Sequence, residues 1–147
     1  MTIILTRDIL TRIEKHAENT YPEEGAGLLI GQVNGETRQV QAVLELTNTS
    51  RVETRRNRYL ISPQDLLRGE KEAAARSMDV FGVFHSHPDH PDQPSEFDRQ
   101  WALPWFSYMI TSVNGGKAAG SRSWRLSEDR QHFKEEPIHI SEIVSGT

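Results

Sequence analysis

Apolar positions recur at helical spacing in the stretch "RDILTRIEKHAE", where Ile9, Leu10, Ile13 and Ala17 share one face. The spacing predicts a helix from Arg7 to about Glu18 with Thr6 as its cap. Pro22 restrains Tyr21 from helical geometry and ends the helix. The period then changes. "GLLIGQV", Gly27 to Val33, reads as a strand, and Asn34-Gly35 as a two-residue hairpin turn. The return strand runs from about Thr37 to Leu46, with Val40, Ala42, Leu44 and Leu46 alternating. Residues 47–58 are polar, carry Arg51, Arg55, Arg56 and Arg58, and predict a long loop. Tyr59 to Ile61 predicts a short strand. Ser62 and Pro63 open a second helix that continues to about Ser77.

Asp79 to Phe84 predicts a buried strand. After it, Ser95-Glu96-Phe97-Asp98 has a serine cap and an acidic first turn, which predicts a third helix ending before Pro104. Trp105 to Thr111 and Ala118 to Leu126 predict two more strands, joined at Asn114-Gly115-Gly116. Residues 131–147 are weakly patterned, although Phe133 and the Ile138, Ile140, Ile143 alternation suggest a strand or a partly docked tail. The elements together predict one domain of mixed α/β, or α+β, class over residues 1–130, with a mostly antiparallel sheet flanked by about three helices.

Composition narrows the chemistry. With 147 residues the chain can bury a real core. A net charge of -4 gives no basic footprint for nucleic acid. No apolar run approaches a membrane span, and "MTIILTRDIL" is charged too soon for a signal peptide. A cytoplasmic protein is the expectation. With no cysteine, any metal must be held by His, Asp, Glu and water.

The stretch "GVFHSHPDHPDQPSEFD" supplies such groups. His85 and His87 stand two apart at the end of a strand, so their side chains share a face and can bind one divalent cation. Asp98 follows at a helix start, and Pro88, Pro91 and Pro94 restrict the loop that could return it to the histidines. Two His, one Asp and an open fourth position for water match a catalytic zinc site. Such a site needs a carboxylate not committed to the metal as general base, and Glu23 and Glu24 are the candidates.

The run His85-Ser86-His87-Pro88, six residues, then Ser95-Glu96-Phe97-Asp98 reads as H-S-H-P-x6-S-x-x-D. With Pro22-Glu23-Glu24-Gly25-Ala26-Gly27-Leu28-Leu29 upstream, it resembles the JAMM (MPN+) zinc metalloprotease family, over residues from about 5 to 126. The resemblance implies an MPN/JAB1-like (cytidine-deaminase-like) architecture. It implies His85, His87 and Asp98 as ligands of one zinc ion per chain, with zinc-bound water as nucleophile. Glu24 is implied as general acid/base, three residues before Gly27, and Ser95 as oxyanion stabiliser. Ser86 is read as structural.

The compact chain is most similar to the prokaryotic branch of that family. This implies a peptidase acting on a peptide or isopeptide bond at the C-terminal Gly-Gly tail of a ubiquitin-like sulfur-carrier protein. Ala26 departs from the cysteine of many compact relatives. Two other readings stand beside it: a non-catalytic domain of the same fold that binds a partner, and a metal-dependent hydrolase of a small-molecule amide. The sequence leaves the oligomeric state open. His90, Asp89 and Asp92 read as solvated loop groups, and His16, His132 and His139 as surface residues. Trp101, Trp105 and Trp124 read as packing residues, with Trp101, one turn after Asp98, the exception to watch.

Overall fold

The computed structural model describes residues 2–46 and 61–142. Its elements are β1 (Thr2–Thr6), α1 (Arg7–Thr20), β2 (Ala26–Asn34), β3 (Thr37–Leu46), α2 (Pro63–Ala75), β4 (Asp79–Pro88), α3 (Glu96–Trp101), β5 (Ser107–Asn114), β6 (Lys117–Leu126), β7 (Phe133–Glu136) and β8 (Ile138–Ser141). Thr6, Ser62 and Ser95 cap the three helices through their side chains. All the strands join one mixed sheet in the order β7-β6-β5-β4-β2-β3-β1-β8. The β2–β3, β2–β4, β5–β6 and β6–β7 pairs are antiparallel, and β1–β3, β1–β8 and β4–β5 are parallel.

β7 and β8 lie on opposite edges of the sheet, yet Pro137 alone separates them. The two edges must therefore meet, and the Ile3 N–H donates to the Pro137 carbonyl at 3.0 Å. The sheet so curled wraps around α1, which touches β1, β3, β4, β5 and β6. Ile13 of α1 packs with Ile3, Leu5, Leu29, Val40, Val43, Phe81, Phe84 and Met109 in this inner core. On the other face, Leu28, Ile30, Val80, Val83 and Tyr108 pack with Ala73 of α2 and with Ala102, which follows α3.

Several expectations change. β1 was not foreseen, because five residues running straight into a capped helix carry no turn to mark them; the alternation of buried Ile3 and Leu5 was their signal. The weakly patterned segment after 130 supplies both closing strands. His16 is not a surface residue. The curl encloses its side of α1, leaving the side chain 14% exposed and edge-on to Phe84 at 5.9 Å between centroids. Trp105 lies before β5 and is half exposed, stacked over the buried Arg38 guanidinium at 4.2 Å. Arg38 donates to the Phe81 carbonyl and the Ser107 hydroxyl, and burial lowers its pKa to about 10, with the Arg125 charge adding to the effect. Trp101 is exposed, while the indole N–H of Trp124 donates to the Asp92 carbonyl. Ile61 is irregular; Tyr59, Leu60 and the four arginines of 47–58 lie outside the described residues.

β4 carries the most of the expected chemistry. It runs on past Phe84 to Pro88, so both histidines are strand residues rather than loop residues. Flanked by β2 and β5, it is buried on both faces, which explains its continuous apolar reading. The register of β2 against β4 shifts between Leu29 and Ile30. Ordinary alternation puts Val80 and Phe81 on opposite faces, and the extra residue at Phe81 is why Val83, His85 and His87 then fall on the same α2 and α3 side as Val80.

Candidate metal centre

The site is built from three chain segments. β4 delivers His85 and His87, whose rings lie 5.0 Å apart between centroids. The first residue before α3 delivers Ser95, and the third residue of α3 is Asp98. The approach to β2 delivers Glu24. The structure brings all five sequence-derived residues together, and all but Ser95 are buried. Glu23 stays half-buried next to Glu24 in the chain.

The approach of Glu24 depends on close packing. A Cβ on Gly25 would sit 2.5 Å from the Thr20 hydroxyl and 3.2 Å from the His16 ring, so only glycine lets this segment lie against α1. Ser86 then holds it. The Gly25 N–H donates to the Ser86 hydroxyl at 2.8 Å, and the Ser86 N–H donates to the Gly25 carbonyl at 3.0 Å. The serine between the histidines points away from them because of strand alternation, and so reaches the neighbour of Glu24. Ser86→Ala would leave a buried N–H without that acceptor. It is expected to cost about 1–3 kcal/mol, read as a lower urea midpoint.

Asp98 is held by a reciprocal capping box. Its N–H donates to the Ser95 hydroxyl at 3.1 Å, and the Ser95 N–H donates to Asp98 Oδ2 at 2.8 Å. The same carboxylate spans the histidines: Oδ1 is 3.4 Å from His85 Nε2, and Oδ2 is 3.2 Å from His87 Nε2. On the other ring edge, His85 Nδ1 lies 3.6 Å from Glu24 Oε1. His87 Nδ1 lies 2.8 Å from the Pro91 carbonyl. A carbonyl only accepts, so Nδ1 carries the proton, and a neutral His87 presents the lone pair of Nε2 to the site.

Charge is coupled across this cluster. Burial opposes ionisation of Asp98, but the charges of His85 and His87, the His87 hydrogen bond and the Ser95 N–H hold its pKa well below the usual range. Burial also opposes charge on His87, and Asp98 outweighs it, so the His87 pKa is raised. Burial dominates at Glu24 and raises its pKa despite the nearby histidines.

The residues fit a metal ion. Ligands about 2.1 Å from one zinc lie up to about 4.2 Å apart, and Asp98 complies, with Oδ1 3.4 Å from His85 Nε2 and Oδ2 3.2 Å from His87 Nε2. Glu24, His85 and His87 form a group with donor atoms within 4.8 Å of one another, and Asp98 lies against both histidines from its own side. Two imidazoles with carboxylates are a donor set typical of zinc. The Pro91 carbonyl on His87 is the outer contact such a ligand needs to fix its tautomer. Sequence could not show that carbonyl, since any residue at 91 has one.

A cavity of about 540 Å³ opens over this cluster, lined by Glu24, His87, Pro88, His90, Pro91, Gln93, Pro94 and Ser95. His90 is exposed at its wall. Asp89, expected to be a loop charge, is instead hydrogen-bonded to Tyr21 and Gly115.

A sheet curled around one helix, with a His-Ser-His strand end facing a capped Asp, defines a protein of the JAB1/MPN fold. A JAB1/MPN domain protein from Archaeoglobus fulgidus shares that fold at a TM-score of 0.55 and 20% identity, over 95% of this chain and 99% of that one. The family model for prokaryotic homologs of the JAB domain matches residues 6–127, and the chain belongs to that family. A Desulfitobacterium hafniense protein solved in solution is similar at a TM-score of 0.85 and 30% identity, over 97% of this chain and 95% of that one. A probable TtuB-protein conjugate cleaving protease of Thermus thermophilus is 28% identical over 121 residues, 80% of this chain and 75% of that protein. A desampylase of Haloferax volcanii is 28% identical over 124 residues, 84% of this chain and 85% of that protein. Among the described residues, no helix is long and apolar enough to cross a membrane.

Proposed function

We propose that this protein is a zinc-dependent peptidase that hydrolyses a peptide or isopeptide bond at the C-terminal Gly-Gly tail of a ubiquitin-like carrier protein. The observation that carries the reading is the convergence of His85 Nε2 and His87 Nε2 on the two oxygens of Asp98, beside the cavity shared by Glu24 and Ser95. In this reading His85, His87 and Asp98 hold one zinc per chain, and Glu24 stays outside the ligand set. The relatives support the substrate class, since one is named for cleaving TtuB conjugates and another as a desampylase.

Zinc bound there supplies Lewis-acid chemistry, polarising a carbonyl and making water nucleophilic near neutral pH. The chain's own groups do the rest. Glu24 takes the proton from water and delivers it to the leaving amine. Ser95 uses its oxygen to accept from the Asp98 N–H, and the hydroxyl proton remains for the developing oxyanion. Capping and catalysis therefore do not compete for the same part of that group. Two glycines in the substrate tail let its backbone pass close to the cavity wall.

The test uses a ubiquitin-like protein extended beyond its Gly-Gly end, and a second one joined through Gly-Gly to a lysine. Zinc-loaded protein is expected to release the extension, the conjugate or both, and a chelator is expected to stop it. No release from either substrate with one zinc per chain bound would overturn the reading.

A further inference from the structure

We propose that Asp89 and Tyr21 are positioning residues, a clamp that holds the loop after β4 and the Glu24 segment at a fixed spacing beside the cavity. The proposal rests on the metal site above, and its kinetic half also on the peptidase reading.

Asp89 is the residue after β4. Its φ of 57° is left-handed, a conformation that Asp and Asn tolerate better than most residues. That turn sends its side chain to two places at once. Oδ2 accepts from the Tyr21 hydroxyl at 2.7 Å, and Oδ1 accepts from the Gly115 N–H at 2.9 Å. Its own N–H donates to the Val113 carbonyl at 2.6 Å. Gly115 sits in the turn between β5 and β6. Further along the loop, the Ser112 hydroxyl donates to the His90 carbonyl at 2.6 Å, and Trp124 donates to the Asp92 carbonyl at 3.0 Å. Residues 89–92 are thus sewn to the β5–β6 hairpin. Asp89 also reaches the Glu24 segment, because Tyr21 stands three residues before Glu24.

Two groups of the site hang from this clamp. The loop carries Pro91, whose carbonyl orients His87. The Tyr21 side carries Glu24, which lines the cavity together with Pro88 and Pro91. An exposed carboxylate holding a turn would matter little to the site. A carboxylate joining the loop that carries the Pro91 carbonyl to the base-bearing segment sets their separation; contacts made directly on a ligand change metal affinity or activity by about 10–100-fold, and Asp89 acts on such a contact from two residues away.

The variants separate backbone from side chain. Asp89→Gly keeps the left-handed turn at no steric cost and removes the carboxylate. Tyr21→Phe removes one hydroxyl. Asp89→Asn keeps an acceptor for Gly115 and offers its amide N–H to the Tyr21 oxygen. Zinc affinity is measured by competition with a chromophoric chelator, and kcat and KM at saturating zinc on the extended carrier. Asp89→Gly and Tyr21→Phe are each expected to weaken zinc binding about tenfold, and to lower kcat about tenfold with KM unchanged. The double variant should match Asp89→Gly alone, because that change already removes the bond to Tyr21. Asp89→Asn should lie within about twofold of the parent. If Asp89→Gly lowers Tm yet keeps the parent's zinc affinity and kcat, Asp89 only stabilises a turn and the proposal is overturned. If the zinc affinities follow the expected order while the parent cleaves no carrier, the clamp stands and the peptidase reading falls. A parent that binds no zinc overturns both.

Discussion

Glu24→Gln is expected to slow release of a carrier's C-terminal extension by about 10²–10⁴-fold, while zinc remains at one per chain. The size follows from the role. Gln matches Glu in shape and still accepts hydrogen bonds, so the packing against Thr20 and His16 persists. What it lacks is a site for the transferred proton. The zinc measurement matters as much as the rate, because Glu24 is close enough to the histidines to be a ligand itself. If the variant loses its zinc, Glu24 belongs to the ligand set and the base lies elsewhere. If it cleaves as fast as the parent, the assignment of Glu24 as base is wrong.

The second large effect is expected from Asp98→Asn: zinc content well below one per chain, and activity reduced to background. The Asn oxygen can still accept the Ser95 N–H, so the first turn of α3 should keep its cap, and circular dichroism should be unchanged. The amide nitrogen would then face a histidine, and it neither carries charge nor offers a lone pair for a metal. Normal zinc content in this variant would remove Asp98 from the ligand set.

The same variant has a pH signature in the metal-free protein. Asp98 has a folded pKa below its ordinary value of 3.8, so its stabilising contribution is present above that pH and is lost as pH falls through the folded value. His87 has a folded pKa above its ordinary 6.5, so its contribution is full below that pH and is lost as pH rises through the folded value. The stability difference between parent and Asp98→Asn should therefore be greatest between about pH 4 and 6.5, and shrink on both sides. A difference that stays constant from pH 3 to 8 would show that the pair is not coupled as described.

Short-range information carried much of this structure. Helical spacing and a Thr, Ser or Ser-Pro start located α1, α2 and α3, because caps and periodicity are decided within a few residues. Asn34-Gly35 and Asn114-Gly115-Gly116 placed two hairpins, since those turns need positive φ, which Gly35, Gly115 and Gly116 adopt. The histidine pair and Asp98 were legible from spacing on one strand and one helix start, where Ser95 was legible as a cap and, through the family pattern, as a site residue. Glu24 was legible only through the family pattern, because no local rule separates it from Glu23.

Long-range contacts were not legible. Nothing in 133–141 states that a single proline will join the two edges of a sheet. That closure decides that α1 lies inside, and so that His16 is enclosed and packs beside Gly25. Nor does sequence show that the Pro91 carbonyl fixes the His87 tautomer, or that Asp89 ties Tyr21 to Gly115. Backbone carbonyls have no sequence identity, and a surface carboxylate looks alike whether it meets water or a tyrosine 68 positions away. The sequence by itself determined which groups could do the chemistry, because residue type and local spacing set what each side chain offers. The tertiary structure alone decided what brings Glu24 to the histidines and holds it there, because that depends on how distant segments pack.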